Sequence, residues 1–184
     1  MSRVAVFFGE GFEEIEALTV VDICRRAGIE TLMVSIGADR QVTSSHGIVI
    51  LTDKLFDEVD FDSLDMIVLP GGKLGTQNLE AHQGLMDRVD GFYAAGKYIA
   101  AICAAPSILG HRGILQGRKA GCYPGWEEHL KGAEVSNDTV SVSDHVITSR
   151  GMGCSIDFSL AIVETLCGEQ EAVKQAQSIV YQQK

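Results

Sequence analysis

The chain has 184 residues, 46% of them hydrophobic and 22% charged, which is enough for one domain with a sizeable core. Its formal net charge of -10, with no basic stripe interleaved by aromatics, argues against a nucleic-acid binder and against an anionic membrane as partner. The opening MSRVAVFFGEGFEE meets acids too early for a signal peptide, and no apolar run reaches membrane-spanning length. A single cytoplasmic domain over 1–184 is the expectation.

Taken in order, Val4 to Phe8 reads as a short apolar strand, followed by a turn between Gly9 and Gly11. Glu13, Glu14 and Glu16 crowd the start of a helix, where acids suit the positive pole of the dipole. Ala17, Val20, Val21, Cys24 and Ala27 recur at helical spacing, and Gly28 stops the helix. Glu30 to Ile36 is a second strand. Gln41 to Thr52 reads as a polar entry leading into a strand at Ile48 to Leu51. Asp53 to Asp65 is an acidic connector anchored by Leu55, Phe56 and Val59. Met66 to Leu69 is a fully apolar strand that ends in Pro70-Gly71-Gly72. Leu85, Val89 and Phe92 mark an amphipathic helix closed by Gly96.

Tyr98 to Ile102 is the next apolar strand, and Cys103 follows it. Ala104, Ala105 and Pro106 then open a helix, Pro being well tolerated in a first turn. Gly110 to Gly125 is loop-rich, and Trp126 to Leu130 is a helical turn. Glu134 to Val135, Thr139 to Val142 and His145 to Thr148 read as short strands. Ser149 to Gly153 forms a glycine-rich turn. Ile156, Leu160, Val163 and Cys167 share one face of a helix that ends at Gly168, and a last helix runs from about Gln170 to Val180. Strands alternating with helices imply an α/β fold with a mostly parallel sheet covered on both faces.

The five cysteines, Cys24, Cys103, Cys122, Cys154 and Cys167, are odd in number and show neither CxxC nor Cys/His zinc spacing. Free thiols and no metal are expected. Gly9-Glu10-Gly11 lacks the third glycine of a dinucleotide fingerprint, and no P-loop is present. Cys103 has two readings. A cysteine between a strand and a helix N-terminus sits near free N–H groups that favour its thiolate. A buried structural thiol is the alternative. Ligands of parallel sheets bind beyond the carboxyl ends of the strands. Three loops fall there: the turn before Glu16, the Pro70-Gly71-Gly72 loop with its possible oxyanion donors, and the Cys103 turn. That convergence favours the reactive reading.

The stretches GEGFEEIEALTVVDICRRAG, LPGGKLGTQNL, AAICAAP and TSRGMGCSIDFSLAIVE closely resemble the ThiJ/PfpI superfamily, and within it the branch of the Parkinsonism-associated deglycase. The resemblance covers nearly the whole chain in the right order. It implies a flavodoxin-like three-layer sandwich, usually dimeric, with Arg26 near the interface. It makes Cys103 the reactive, oxidisable cysteine of a nucleophile elbow and Glu16 the carboxyl beside its sulfur. The N–H groups of Gly72, with Gly71 in the same loop, and of Ala104 become the oxyanion donors. The implied activity is a cofactor-independent glyoxalase or deglycase acting on methylglyoxal-type α-oxoaldehydes or their adducts, with a thiol pKa well below that of free cysteine. A redox sensor or chaperone whose Cys103 is oxidised to sulfinate is the alternative, and a hydrolase or hydratase of the superfamily a third.

Some positions depart from the pattern. Protease members place a histidine after the cysteine, where this chain has Ala104, so a Cys-His protease is poorly supported. Tyr123 stands where the branch often has a histidine, and His46 where it has a pocket-edge arginine; both are candidate substrate contacts. His82, His111, His129 and His145 are expected to be solvated.

Overall fold

The computed structural model describes residues 2–181. Seven strands form the central sheet: β1 (Arg3–Phe8), β2 (Glu30–Ser35), β3 (Lys54–Leu55), β4 (Met66–Leu69), β5 (Tyr98–Ile102), β6 (Val140–Ser143) and β7 (Val146–Ser149). Their order is β6-β7-β5-β4-β1-β2-β3. Neighbours run parallel, apart from β6, which pairs antiparallel with β7 at one edge.

Continuous apolar runs are what a strand buried on both faces requires. Alternate side chains of β1, β4 and β5 enter two separate cores. Ala5, Phe7, Ile67, Leu69, Ile99 and Ala101 pack against α2 (Lys73–Ala81), α3 (Gln83–Ala94) and α4 (Pro106–His111). Val4, Val6, Phe8, Met66, Val68 and Ala100 pack against α1 (Glu14–Arg26), α5 (Ser155–Cys167) and α6 (Glu169–Ser178). The result is a flavodoxin-like three-layer sandwich. Among the described residues, no helix is long and apolar enough to cross a membrane.

The structure departs from the sequence reading mainly in the segments that connect the central strands. The Gln41–Thr52 segment forms a hairpin, Gln41–Thr43 with Val49–Leu51, that lies off the main sheet. The acidic connector contributes the short edge strand β3 and two turns of 3-10 helix. Glu134–Val135 pairs with Lys119–Ala120 and not with the central sheet. Helix α2 carries no clear apolar stripe, since of its two leucines Leu79 is buried and Leu74 is 55% exposed. Its close approach to the loop after β1 is set by glycine: a Cβ at Gly75 would stand 2.7 Å from Phe12 Cα.

Candidate active site

The carboxyl ends of β1, β4 and β5 bring the three expected loops together. Ile102 ends β5, and Cys103 turns the chain with φ +66°, a left-handed conformation that costs a non-glycine residue energy. Two long-range bonds hold it there. The Cys103 N–H donates to the Ser149 carbonyl at 3.0 Å, and its own carbonyl accepts from the Tyr123 N–H at 2.8 Å. Ala104 and Ala105 are buried, and Pro106 starts α4. The thiol is therefore presented at a sharp strand-to-helix turn, which is the geometry of a nucleophile elbow.

Glu16 sits in the first turn of α1 and is 1% exposed. Its Oε2 accepts the Gly71 N–H at 2.9 Å, while the Gly71 carbonyl accepts the Glu13 N–H at 3.0 Å. The start of α1 thus grips the glycine loop on both sides. A side chain at Gly71 would collide with the Glu16 carboxylate and stand 2.6 Å from Cys103 Cβ and 3.1 Å from its Sγ. This glycine leaves room for the acid and the thiol to meet.

Burial drives the electrostatics. It raises Glu16 from 4.5 to about 7, with the Glu13 charge adding to the rise, against hydrogen bonds from Cys103 and Gly71 that lower it. Burial also pushes the Cys103 thiol up, reinforced by the charge of Glu16, while the N–H groups of Gly72 and Ala104 act to lower it. The expected low thiol pKa is thus overturned. Helix-end N–H groups do face the sulfur, but burial of the thiol, together with the carboxylate beside it, outweighs them. The two groups titrate as one coupled pair that keeps a proton near neutrality.

A cavity of about 510 Å³ opens over this pair. Of the residues singled out from the sequence, Glu16, His46, Gly72, Cys103, Ala104 and Tyr123 line it, with Gly71 behind. Tyr123 is half exposed at the rim. His46 is turned toward α1, its Nδ1 2.9 Å from Glu14 Oε1 and 3.8 Å from Glu13 Oε2. Ser45 Oγ donates to Glu13 Oε2 at 3.1 Å. Glu13, Glu14 and His46 bring ligand-type atoms within 4.8 Å of one another. Their bonds to each other and to Ser45 make them a clasp between the hairpin and α1.

Glu13, Lys73, Trp126 and Met152 also line the cavity, and sequence reasoning did not place them there. For Lys73 a signal existed: it directly follows the glycine loop that ends β4, and Gly72 of that loop lines the same cavity. Trp126 and Met152 arrive from loops whose position no local pattern encodes. Other residues lie apart from the cavity. Cys122 is buried, donates to the Tyr123 carbonyl at 3.4 Å, and has its thiol pushed up to about 11 by burial. Arg26 pairs with Asp22 at 2.7 Å. Of the histidines expected in solvent, His82 is half-buried and its Nδ1 accepts the Leu85 N–H at 3.0 Å, while His111 is exposed and lies 2.6 Å from Glu80. His145 leaves its Nε2 buried and unpaired.

A flavodoxin-like sheet with a strained cysteine elbow facing a buried carboxyl defines a thiol-centred class of α/β protein. The chain belongs to the DJ-1/PfpI family, whose model matches residues 2–165. It is 34% identical over 184 residues to protein dj-1beta of Drosophila melanogaster, covering 98% of each chain. It is 32% identical over 163 residues to the glutathione-independent glyoxalase DJR-1.2 of Caenorhabditis elegans, covering 88% of this chain and 87% of that one. The solved structure of oxidized Toxoplasma gondii DJ-1 superimposes with a TM-score of 0.95 at 34% identity over the full length of both chains. The chain spans only 40% and 44% of the length of the Arabidopsis thaliana DJ-1 homologs B and A, which it also resembles.

Proposed function

We propose that this protein is a cofactor-independent glyoxalase or deglycase that acts on small α-oxoaldehydes or their adducts through Cys103. The observation that carries the reading is Glu16: a carboxyl buried beside the thiol, held by the Gly71 N–H, and raised to about 7. The name of the nematode relative supports it.

One shared proton is enough for the chemistry. With that proton on Glu16, Cys103 is a thiolate and adds to the aldehyde carbon of R–CO–CHO. The new oxyanion rests on the N–H groups of Gly72 and Ala104 and takes the proton from Glu16. The Glu16 carboxylate then removes the hydrogen on the former aldehyde carbon as a proton and returns it to the neighbouring carbon, while the hydroxyl proton passes from the former aldehyde oxygen to the neighbouring ketone oxygen. The result is a thioester of a 2-hydroxy acid. Water hydrolyses it to R–CHOH–COO⁻ and frees the sulfur. One carbon is oxidised and its neighbour reduced, so no outside oxidant or reductant enters.

The test is cofactor-free conversion of methylglyoxal to lactate, with lactate quantified directly because thiol trapping also consumes aldehyde. Wild type should turn over, and Cys103→Ser and Glu16→Gln should each lose about 100-fold or more. Absence of lactate from wild type overturns the reading.

A second reading has its own support. A protonated Glu16 can donate to an oxygen of a Cys103 sulfinate, formed from the thiolate by two equivalents of peroxide, and the Toxoplasma relative was solved oxidized. Mass spectrometry of Cys103 after peroxide tests it. Protease chemistry lacks a base: Ala104 follows the cysteine, and His46 bonds to Glu14 at the rim. We propose further that the protein works as a homodimer.

A further inference from the structure

Lys73 is the cation that the chemistry above leaves unused. The chain holds 25 acids against 15 basic residues, and its basic side chains are mostly engaged. Arg25 pairs with Asp53, Arg118 with Asp144 and Lys119 with Asp138, while Lys54 and Lys97 donate to backbone carbonyls. Lys73 forms neither an ion pair nor a side-chain hydrogen bond among the described residues. Yet it lines the cavity that holds Cys103, one residue beyond the oxyanion donor Gly72. Its neighbours in the cavity are already committed. Glu13 accepts from Ser45 and faces His46, and Glu16 is bonded to Gly71 beside the thiol. An ammonium on a flexible stem is thus free to meet a negative charge on a molecule bound at Cys103.

We propose that Lys73 sets the substrate class of this site: an α-oxoaldehyde that carries a carboxylate on its distal carbon. The proposal rests on the α-oxoaldehyde reading given above. A single lysine suits a monoanion. A dianionic phosphate would gain one cation while facing both Glu13 and Glu16. The product is a 2-hydroxy dicarboxylate: OHC–CO–R–COO⁻ and water give ⁻OOC–CHOH–R–COO⁻ and a proton, by the same internal transfer from one carbon to the next.

Two measurements separate this proposal from the reading beneath it. The first is alkylation of Cys103 by anionic iodoacetate and by neutral iodoacetamide, each displacing iodide, followed by mass spectrometry. The iodoacetate-to-iodoacetamide rate ratio should fall about fivefold in Lys73→Met, the upper end for a partly exposed charge pair. It should recover in Lys73→Arg, and the difference should shrink in high salt. A ratio unchanged in Lys73→Met overturns the proposal. The second is turnover of 4,5-dioxopentanoate against its neutral methyl ester. Wild type should favour the acid in kcat/KM, with the preference residing in KM and reduced about fivefold in Lys73→Met. Equal turnover of acid and ester overturns the substrate class. If neither compound is turned over while methylglyoxal is, the substrate class falls and the α-oxoaldehyde reading stands; if methylglyoxal is not turned over either, both fall, while the alkylation ratio still decides whether Lys73 selects anions.

Discussion

Glu16 carries the strongest electrostatic consequence at the scale of one residue. Its folded-state pKa, about 7, stands above the 4.5 of the free carboxyl because burial penalises its charge. Between those two values the folded chain holds a proton that the unfolded chain has released. Stability from this group is therefore complete below about pH 4.5 and is lost as pH rises through about 7. The span corresponds to about 3 kcal/mol at 1.36 kcal/mol per unit. Glu16→Gln keeps an acceptor for the Gly71 N–H and removes the ionisation. Urea unfolding at pH 5 and pH 8 should find the variant near wild type at pH 5 and more stable by about 1–3 kcal/mol at pH 8. A variant weakened equally at both values would mean that shape, not charge, makes this residue matter. At this scale the sequence was partly legible. Cys103 and Glu16 stand in recognisable motifs, but the rise of the thiol depends on how closely the chain buries the two together, which no spacing states.

Among the structural elements, the turn from β4 into α2 decides whether the site forms. Gly72 has φ +86°, and a Cβ there would stand 2.7 Å from Glu13 N and 2.9 Å from Phe12 C. Both the conformation and the space demand glycine. Gly72→Ala should cost about 1–3 kcal/mol of stability and remove Cys103 reactivity, as read by thermal unfolding and iodoacetamide labelling. Full stability with normal labelling would show that the packing of the start of α1 against the glycine loop can yield. The same region shows why some elements were legible and others not. Strands β1, β4 and β5 announce themselves because burial on both faces needs unbroken apolar runs. Helix α1 shows its stripe because half of it enters a core. Helix α2 has little apolar stripe, its N-cap is a glycine, and its seat against Phe12 depends on the absence of a side chain at Gly75. The Gln41–Leu51 hairpin sends only Val42 and its cross-strand partner Ile50 to the core, while Val49 and Leu51 stay 54% and 70% exposed, so its apolar run misstates which face is buried.

For the whole molecule, the helix that carries Glu16 inward also faces outward. Ile15, Leu18, Ile48, Ile156 and Ile179 form an apolar groove along α1, with Ile15 and Ile48 each 49% exposed on a chain of net charge -10. A second copy related by a two-fold axis could cover this patch with the same patch, the self-complementary contact of a homodimer. Such a dimer would place the interface one helix thickness from the Glu16 carboxyl and hold the start of α1 against the glycine loop. Wild type should sediment as a dimer, and its unfolding temperature should rise with protein concentration. The double variant Ile15→Asp with Ile48→Asp would bury unpaired charge in that contact and should weaken association on the order of 100-fold or more, with an unchanged circular-dichroism spectrum. A monomeric wild type, or a double variant that sediments as wild type does, would mean that this face is not the contact and that α1 is held by its own fold alone.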